Sequence, residues 1–245
     1  MIRWRPILLA GLLAMAGNAA GQTLTADLSS HIIGITTGFA GANLVLFGST
    51  DKPGDIVVVV RGPPAEMVVR RKEKVLGVWL NGSSATFHDA PSFYAAAATR
   101  APADIAAPDI LARHSIGIDN IRLQTTEPIA APALADFRAA LVANQTAAGL
   151  YRSDVAHVAF LGAHLFRADM EFPANVPTGG YSVEVMLFTD GQLSSAQTTP
   201  LIVSRIGFSN GVFVVAHHHA ALYGAGALIL AIGAGWAASA VFRRV

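Results

Sequence analysis

Three consecutive histidines, His217, His218 and His219, form the densest cluster of side chains in this chain that could do chemistry. Neutral imidazole binds zinc or copper, and a run of three can supply two ligands. Successive residues of a helix point about 100° apart, however, so the three cannot face one ion. No Asp, Glu or Cys adjoins them to complete a shell. The triplet therefore reads as a polar collar, with metal binding as the alternative. His31, His88, His114, His157 and His164 are scattered, without the i, i+4 spacing of a helical metal motif. They read as structural or exposed side chains.

Nucleophilic catalysis finds no foothold. Ser83–Ser84 and Ser194–Ser195 sit in turn-like sequence, and no G-x-S-x-G elbow occurs. The absence of cysteine removes disulfides, thiol catalysis and thiolate metal sites together. Asp89, Asp104, Asp109 and Asp119 lie in loop or helix-start contexts, where capping accounts for them. Gly34, Gly38 and Gly41 match neither nucleotide-binding fingerprint. The expectation is a protein that is not an enzyme and holds no cofactor or metal. A net charge of +1 gives no broad field for nucleic acid. The one cationic knot, Arg70–Arg71–Lys72 with Lys74, is interrupted by Glu73. It reads as a solvated strand end or turn, with contact to anionic headgroups as the lesser reading.

The remaining candidates are aromatic. Trp79, Phe87, Phe93 and Tyr94 gather around the turn residues Asn81–Gly82 and Pro91, with Arg100 close by. Aromatics and arginine anchor interfaces. Trp79 and Phe87 are assigned to a core; Phe93, Tyr94 and Arg100 are the candidate partner-binding residues.

The elements that must position these residues lie between two unequal apolar ends. Arg3 and Arg5 precede the apolar run Ile7–Met15, and small residues crowd Ala16–Gly21, the three parts of a secretory signal over residues 1–21. At the other end, Ala220–Phe242 carries no charge and no proline. A helix of that length spans a hydrocarbon core of about 30 Å. Arg243 and Arg244 follow at once and mark the cytoplasmic side. The expected plan is a transmembrane helix over 217–242 with its histidine collar, a cytoplasmic stub over 243–245 and a periplasmic body. This describes a single-pass protein of a bacterial inner membrane, in contact with the lipid bilayer. Ala227, Ala231, Gly235 and Ser239 recur at four-residue spacing along one face of that helix. Small residues let helices approach closely in lipid, so this face suits a second copy or another membrane protein.

The body reads as mainly β. Asn43–Phe47, Ile56–Arg61 and Met67–Arg70 are short apolar or β-branched runs between Gly, Pro and Asp turn signals. Val75–Leu80 and Ala85–Phe87 continue the series around Asn81–Gly82 as a hairpin-like turn. Ile56–Val60 is apolar throughout, as a strand covered on both faces would be. Asp89 is placed to cap a short helix from about Pro91 that carries Phe93, Tyr94 and four alanines, and Pro102 and Pro108 break the sequence that follows into short pieces. Pro132–Ala148 reads as a helix stopped by Gly149. Phe166–Phe172 alternates cleanly, and Tyr181–Thr189 closes on Asp190–Gly191. Leu201–Arg205 and Val212–Ala216 complete the set. Tyr181 sits where immunoglobulin-like sandwiches place a tyrosine. The expected fold is two immunoglobulin-like antiparallel β-sandwich units. The first spans 22–127 with an Ala/Pro-rich extension, a helical connector spans 128–150, and the second unit spans 151–216.

Several stretches together resemble a known family: Val57–Pro63 (VVVVRGP), Gly77–Asn81 (GVWLN), Thr86–Tyr94 (TFHDAPSFY), Phe166–Gly191, Tyr223–Gly224, Gly235–Trp236 and Phe242–Arg244. The resemblance is to a family of predicted transmembrane proteins of alphaproteobacteria without an established activity, and it covers nearly the whole chain after the signal. It implies an envelope protein with a signal and a C-terminal helix, and a transport partner of the sulfite-exporter anion-permease type. The expected function is a membrane-anchored periplasmic interaction or accessory module that assists such a partner. The alternative is a periplasmic ligand- or metal-binding protein.

Overall fold

Five apolar β-branched residues in a row, Ile56–Val60, demand cover on both sides, and the chain is arranged around meeting that demand. The computed structural model describes residues 24–75, 77–206, 224, 228–229 and 231–236. Strand β4 (Asp55–Arg61) buries all five completely. Before it come β1 (Leu24–Leu28), β2 (Ile32–Ile35) and β3 (Ala42–Thr50). After it come β5 (Pro64–Val75), β6 (Val78–Pro91) and β7 (Tyr94–Ala98). A helical segment follows, with α1 (Pro102–Ile105), α2 (Pro108–Arg113), a 3-10 turn (Ile118–Asn120) and α3 (Ala131–Ala147). Then β8 (Tyr151–Phe160), β9 (Leu165–Phe172), β10 (Gly179–Thr189) and β11 (Gln192–Arg205) close the described body.

Nine strands form one curled sheet in the order β1-β3-β9-β8-β7-β4-β10-β11-β2. Among the described residues only β7–β8 and β11–β2 pair in parallel. The curl brings Leu24, Leu46, Phe166 and Met170 of one arm against Ile56, Val58, Val183 and Leu201 of the other, in a single core. A side chain fastens the seam. The Gln197 amide donates to the Ala26 carbonyl at 2.7 Å, and its oxygen accepts from the Ala26 N–H at 3.0 Å. These two bonds imitate a rung of a strand ladder where no strand pairing exists.

The other face of β4 carries Val57 and Val59, which pack with Met186 and Phe188 under Ile105, Ile110, Leu111 and Ile116. The short helices that supply this cover each start on a proline, at a position where the missing N–H costs no hydrogen bond. A third core joins Val69, Ala85 and Phe87 of the β5–β6 hairpin to Phe137 and Leu141 of α3.

The two sandwich units expected in tandem are instead interleaved. β3 pairs with β9 and β4 with β10, so strands from 22–127 and 151–216 build the same sheet. Alternation tells which face of a strand is buried and is silent on which strand lies beside it. The helix expected over Pro132–Ala148, within the connector assigned to 128–150, forms as α3, but it packs on the β5–β6 hairpin. The helix expected from Pro91 is strand β7, whose four alanines are all buried. Alanine favours helix in isolation. Here small side chains let β4, β8 and the helical cover close in from all sides, and packing overrides propensity. The turn expected at Asn81–Gly82 falls at Gly77, with φ of 88°, and Asn81 and Gly82 run through β6.

Other expectations match. Phe166, Ala168, Met170 and Phe172 are the buried positions of β9. Asp190 and Gly191 take φ of 50° and 76° between β10 and β11, the left-handed pair of a tight hairpin turn. The Tyr181 hydroxyl donates to the Pro177 carbonyl at 2.6 Å, the bond of a tyrosine corner. Residues 228–229 and 231–236, including Ala231 and Gly235, are helical. Among the described residues no helix is long and apolar enough to cross a membrane. The signal at 1–21, Val212–Ala216, His217–His219, Ala227, Ser239 and the stub at 243–245 lie outside the described residues.

Helix α3 ends as its sequence suggests. Gly149, at φ of 72°, donates to Thr146, and Leu150 donates to Gln145, each at 2.9 Å. This is the paired bonding of a Schellman motif, and the left-handed residue within it favours glycine. Gly149→Ala is expected to cost about 1 kcal/mol. Thermal denaturation should show a midpoint lower by about 2–4 °C.

Candidate functional site

Arg61 is the first polar residue after the buried run of β4, and it emerges at the end of the sheet on the face covered by helices. On the neighbouring strand, Glu184 breaks an apolar run in the same way. Ser182 stands opposite Arg61 in the register, so Glu184 is its diagonal neighbour on the same face. The Arg61 Nη1 donates to Glu184 Oε2 at 2.7 Å, and its Nη2 donates to the His114 carbonyl at 2.7 Å. His114 is the C-cap of α2, so the guanidinium sits on the negative end of that helix.

Two further side chains hold the same loop. The Tyr94 hydroxyl donates to the Ser115 carbonyl at 2.9 Å and accepts from the Gly117 N–H at 2.8 Å. Burial pushes its phenol up to about 12, so the hydroxyl stays protonated and keeps both bonds at neutral pH. Arg122 donates to the Arg113 carbonyl. Arg61, Tyr94 and Arg122 thus pin residues 113–117 by their backbone and leave the side chains of that loop free to line a cleft.

The cleft has a volume of about 440 Å³, within the range of small-molecule sites. Its charged lining is Arg61, Arg113 and Arg122 against Asp89 and Glu184, with His114 beside them. Arg61 is matched by Glu184. Among the described residues, Arg113 and Arg122 have no carboxylate within 4.0 Å. The cleft therefore keeps unmatched guanidinium charge, whose planar donors suit carboxylate, phosphate or sulfur oxyanions. Backbone strain also gathers here: Asp89 and Ser115, at φ of 55° and 53°, both line it.

The three residues expected to contact a partner are not brought together. Phe93 immediately precedes β7 and Tyr94 opens it, and the two side chains are buried in different cores, on opposite sides of the sheet. Phe93 is fully buried and stacks on Phe172 at 5.1 Å, with Tyr181 at 5.9 Å. Tyr94 is buried with only its hydroxyl at the cleft wall. Arg100 stands beyond the other end of β7, where it donates to both Asp55 oxygens at 2.9 and 2.6 Å. Of the two aromatics assigned to a core, Phe87 is buried and Trp79 is exposed. Sequence reasoning passed over Arg61 and Glu184, whose one signal is a lone charge in or beside an otherwise apolar strand. Arg113 and Arg122 carry no such signal.

Residues 23–244 match the model of the family described as "Putative transmembrane protein (Alph_Pro_TM)". A comparison with curated proteins found no match.

Two outcomes test these contacts. Tyr94→Phe leaves the Gly117 N–H without its acceptor and is expected to cost about 1–3 kcal/mol, measured by denaturant unfolding. The hydrogen bonds from Arg100 hold the Asp55 carboxyl below its usual range, with Thr99 adding to the effect against the desolvation that opposes it. A carboxyl whose folded pKa is depressed stabilises the fold above its unfolded pKa, and that contribution is lost as pH falls through the folded value. Wild type should therefore exceed Arg100→Gln in stability at pH 7, and the gap should close below about pH 4. Because Arg100 is solvent-exposed, salt should narrow the gap as well.

Proposed function

We propose, since the chain belongs to this transmembrane-protein family, that it is a membrane-anchored periplasmic accessory module that engages a membrane-protein partner through the arginine-lined cleft. The observation that carries the reading is the position of the cleft relative to the chain's exit. Arg61 lies opposite Ser182, Tyr181 opposite Leu201 and Gly179 opposite Val203. The end of β4 that opens the cleft is thus the end at which β11 runs out toward the apolar segment. Tethered there, the cleft faces the bilayer and whatever is embedded in it. Leu228, Ile229, Ile232 and Trp236 are helical, apolar and exposed in the chain alone, as lipid-facing residues of a single-pass anchor would be. Arg243 and Arg244 support a cytoplasmic C-terminus, and Arg3 and Arg5 ahead of a short apolar run support export. The partner suggested by the family resemblance is an anion permease of the sulfite-exporter type.

A second reading, a periplasmic ligand-binding protein, draws on the same cleft. Its size and unmatched guanidinium groups suit a small oxyanion as well as an acidic segment of a protein.

Crosslinking of the full-length protein in intact cells, followed by mass spectrometry, separates the two. The expected result is a reproducible membrane-protein partner, recovered about tenfold less or worse when Arg113 and Arg122 are both changed to Glu. Gly235→Leu should reduce recovery further if the anchor shares the contact. Self-crosslinks alone would overturn the accessory role. Thermal stabilisation by sulfite, sulfate or a carboxylate, abolished by the same two changes, would then favour the ligand-binding reading.

A further inference from the structure

The β5–β6 hairpin is a two-stranded sheet of its own whose base continues the pairing at the centre of the main sheet. The β4–β7 register runs on without a break. Arg61 faces Tyr94, the Gly62 N–H donates to Phe93 at 2.8 Å, Ser92 donates to Pro63 at 3.0 Å, and Pro64 faces Pro91. From there the ribbon continues, with register shifts between Ala65 and Met67 and between Arg70 and Lys72, to Val75 opposite Val78. Twelve residues of β5 extend on the order of 35–40 Å.

Only part of this ribbon is covered. Val69, Ala85 and Phe87 pack on α3. Further out, Val78, Trp79 and Leu80 are 60 %, 63 % and 50 % exposed, three large apolar side chains in succession at a protruding turn. Single exposed apolar residues are ordinary, whereas a cluster at a tip marks a contact surface. Arg70, Arg71 and Lys72 stand behind it, while Lys74 lies opposite Trp79 and the one acid of the run, Glu73, lies opposite Leu80. Arg71 is held by Asp136 at 2.9 Å and lies over the Phe137 ring. The Lys74 ammonium lies 5.9 Å from the centre of the Trp79 ring. The order along the ribbon is therefore covered base, cationic stretch, and an apolar and aromatic tip with Lys74 beside its tryptophan.

We propose that this tip inserts into the interfacial layer of an anionic membrane, with Trp79 at headgroup depth and the cationic stretch on lipid phosphates. Tryptophan prefers that depth because its ring is apolar and its N–H needs a polar partner. Lysine and arginine keep their stems on apolar surface while their charges reach the headgroups. A folded protein partner would also bury Val78 and Leu80, but exposed cations beside and behind a small apolar tip complement a fluid anionic surface better than a fixed one. The membrane concerned is the one that carries the anchor, and to that extent the inference rests on the anchored reading. The hairpin and β11 leave the sheet at the same end, so one membrane surface can meet both. Two attachments on either side of the cleft would fix the module's orientation, which a single flexible tether leaves free.

The test uses tryptophan fluorescence of the full-length protein in vesicles whose acyl chains carry bromine, a short-range quencher. The three tryptophans are Trp4, Trp79 and Trp236. A Trp4→Phe, Trp236→Phe protein reports Trp79 alone, and a Trp4→Phe, Trp79→Phe protein reports Trp236 alone. In vesicles containing phosphatidylglycerol, Trp79 should shift to the blue and lose most of its emission to brominated lipid. In phosphatidylcholine alone, or after Lys72→Glu with Lys74→Glu, that loss should largely disappear. Unquenched Trp79 in the anionic vesicles overturns the proposal, and shielding of Trp79 only in native membranes would reassign the tip to a protein partner. Trp236 decides the other question independently: quenched, it upholds the anchor even where the tip fails; unquenched, it removes the anchored reading.

Discussion

The burial of β4 on both faces is the constraint on which the remaining structure depends. Each fully buried Val or Ile side chain contributes about 1.5–3 kcal/mol. Ile56–Val60 together therefore contribute roughly 10 kcal/mol, comparable to the net stability of a whole domain. Such a strand cannot sit at an edge or face water. β7 and β10 flank it, the far arm of the curled sheet covers Ile56, Val58 and Val60, and the α1–α2 segment covers Val57 and Val59. That double cover explains why both halves of the chain must contribute to one sheet. It also explains the use of alanine in β7, where larger side chains would hold the two covering layers apart.

The candidate binding cleft arises where this dry strand ends. Arg61 cannot remain in the apolar layer, yet it lies one residue beyond it. Its charge is satisfied in two directions at once, by Glu184 and by the His114 carbonyl at the end of α2. That second bond, with the Tyr94 hydroxyl bonds to Ser115 and Gly117, turns a short irregular loop into a rigid wall. Because the loop is held by its backbone, its side chains are spared for other contacts. The left-handed Ser115 and Asp89 cost energy that packing elsewhere must offset, and their concentration on one cleft fits the way strained residues gather at binding sites.

How far the sequence discloses this structure depends on the range of each interaction. Patterns set within one element were legible: the alternation of Phe166–Phe172, the two-sided burial of Ile56–Val60, the Gly149 stop and the Asp190–Gly191 turn all reflect neighbours along the chain. Pairing partners were not, because β3 and β9 or β4 and β10 meet across more than a hundred residues, and each would have suited a tandem arrangement equally well. Tyr94–Ala98 misled for a related reason, since its helical propensity is local and its burial is not. The cleft was legible least of all. Arg61, Asp89, Arg113, Arg122 and Glu184 come from five separate positions along the chain, and no spacing rule unites residues that only the fold assembles.

The same long-range register gives the proposed arrangement its orientation. A β-ribbon that continues out of the sheet centre and a terminal strand two places away share one exit end because antiparallel neighbours alternate direction: β4 runs outward, β10 returns, and β11 runs outward again. No additional contact is needed to align the two exits. The Arg61–Glu184 pair lies across the β4–β10 boundary that separates them, so the cleft lies between the base of the hairpin and the end of β11. A partner reaching the cleft from the bilayer would meet guanidinium groups on a surface braced from two sides. The strength of that recognition then depends less on the number of charges than on how little they move, since pre-set donors lose less freedom on binding.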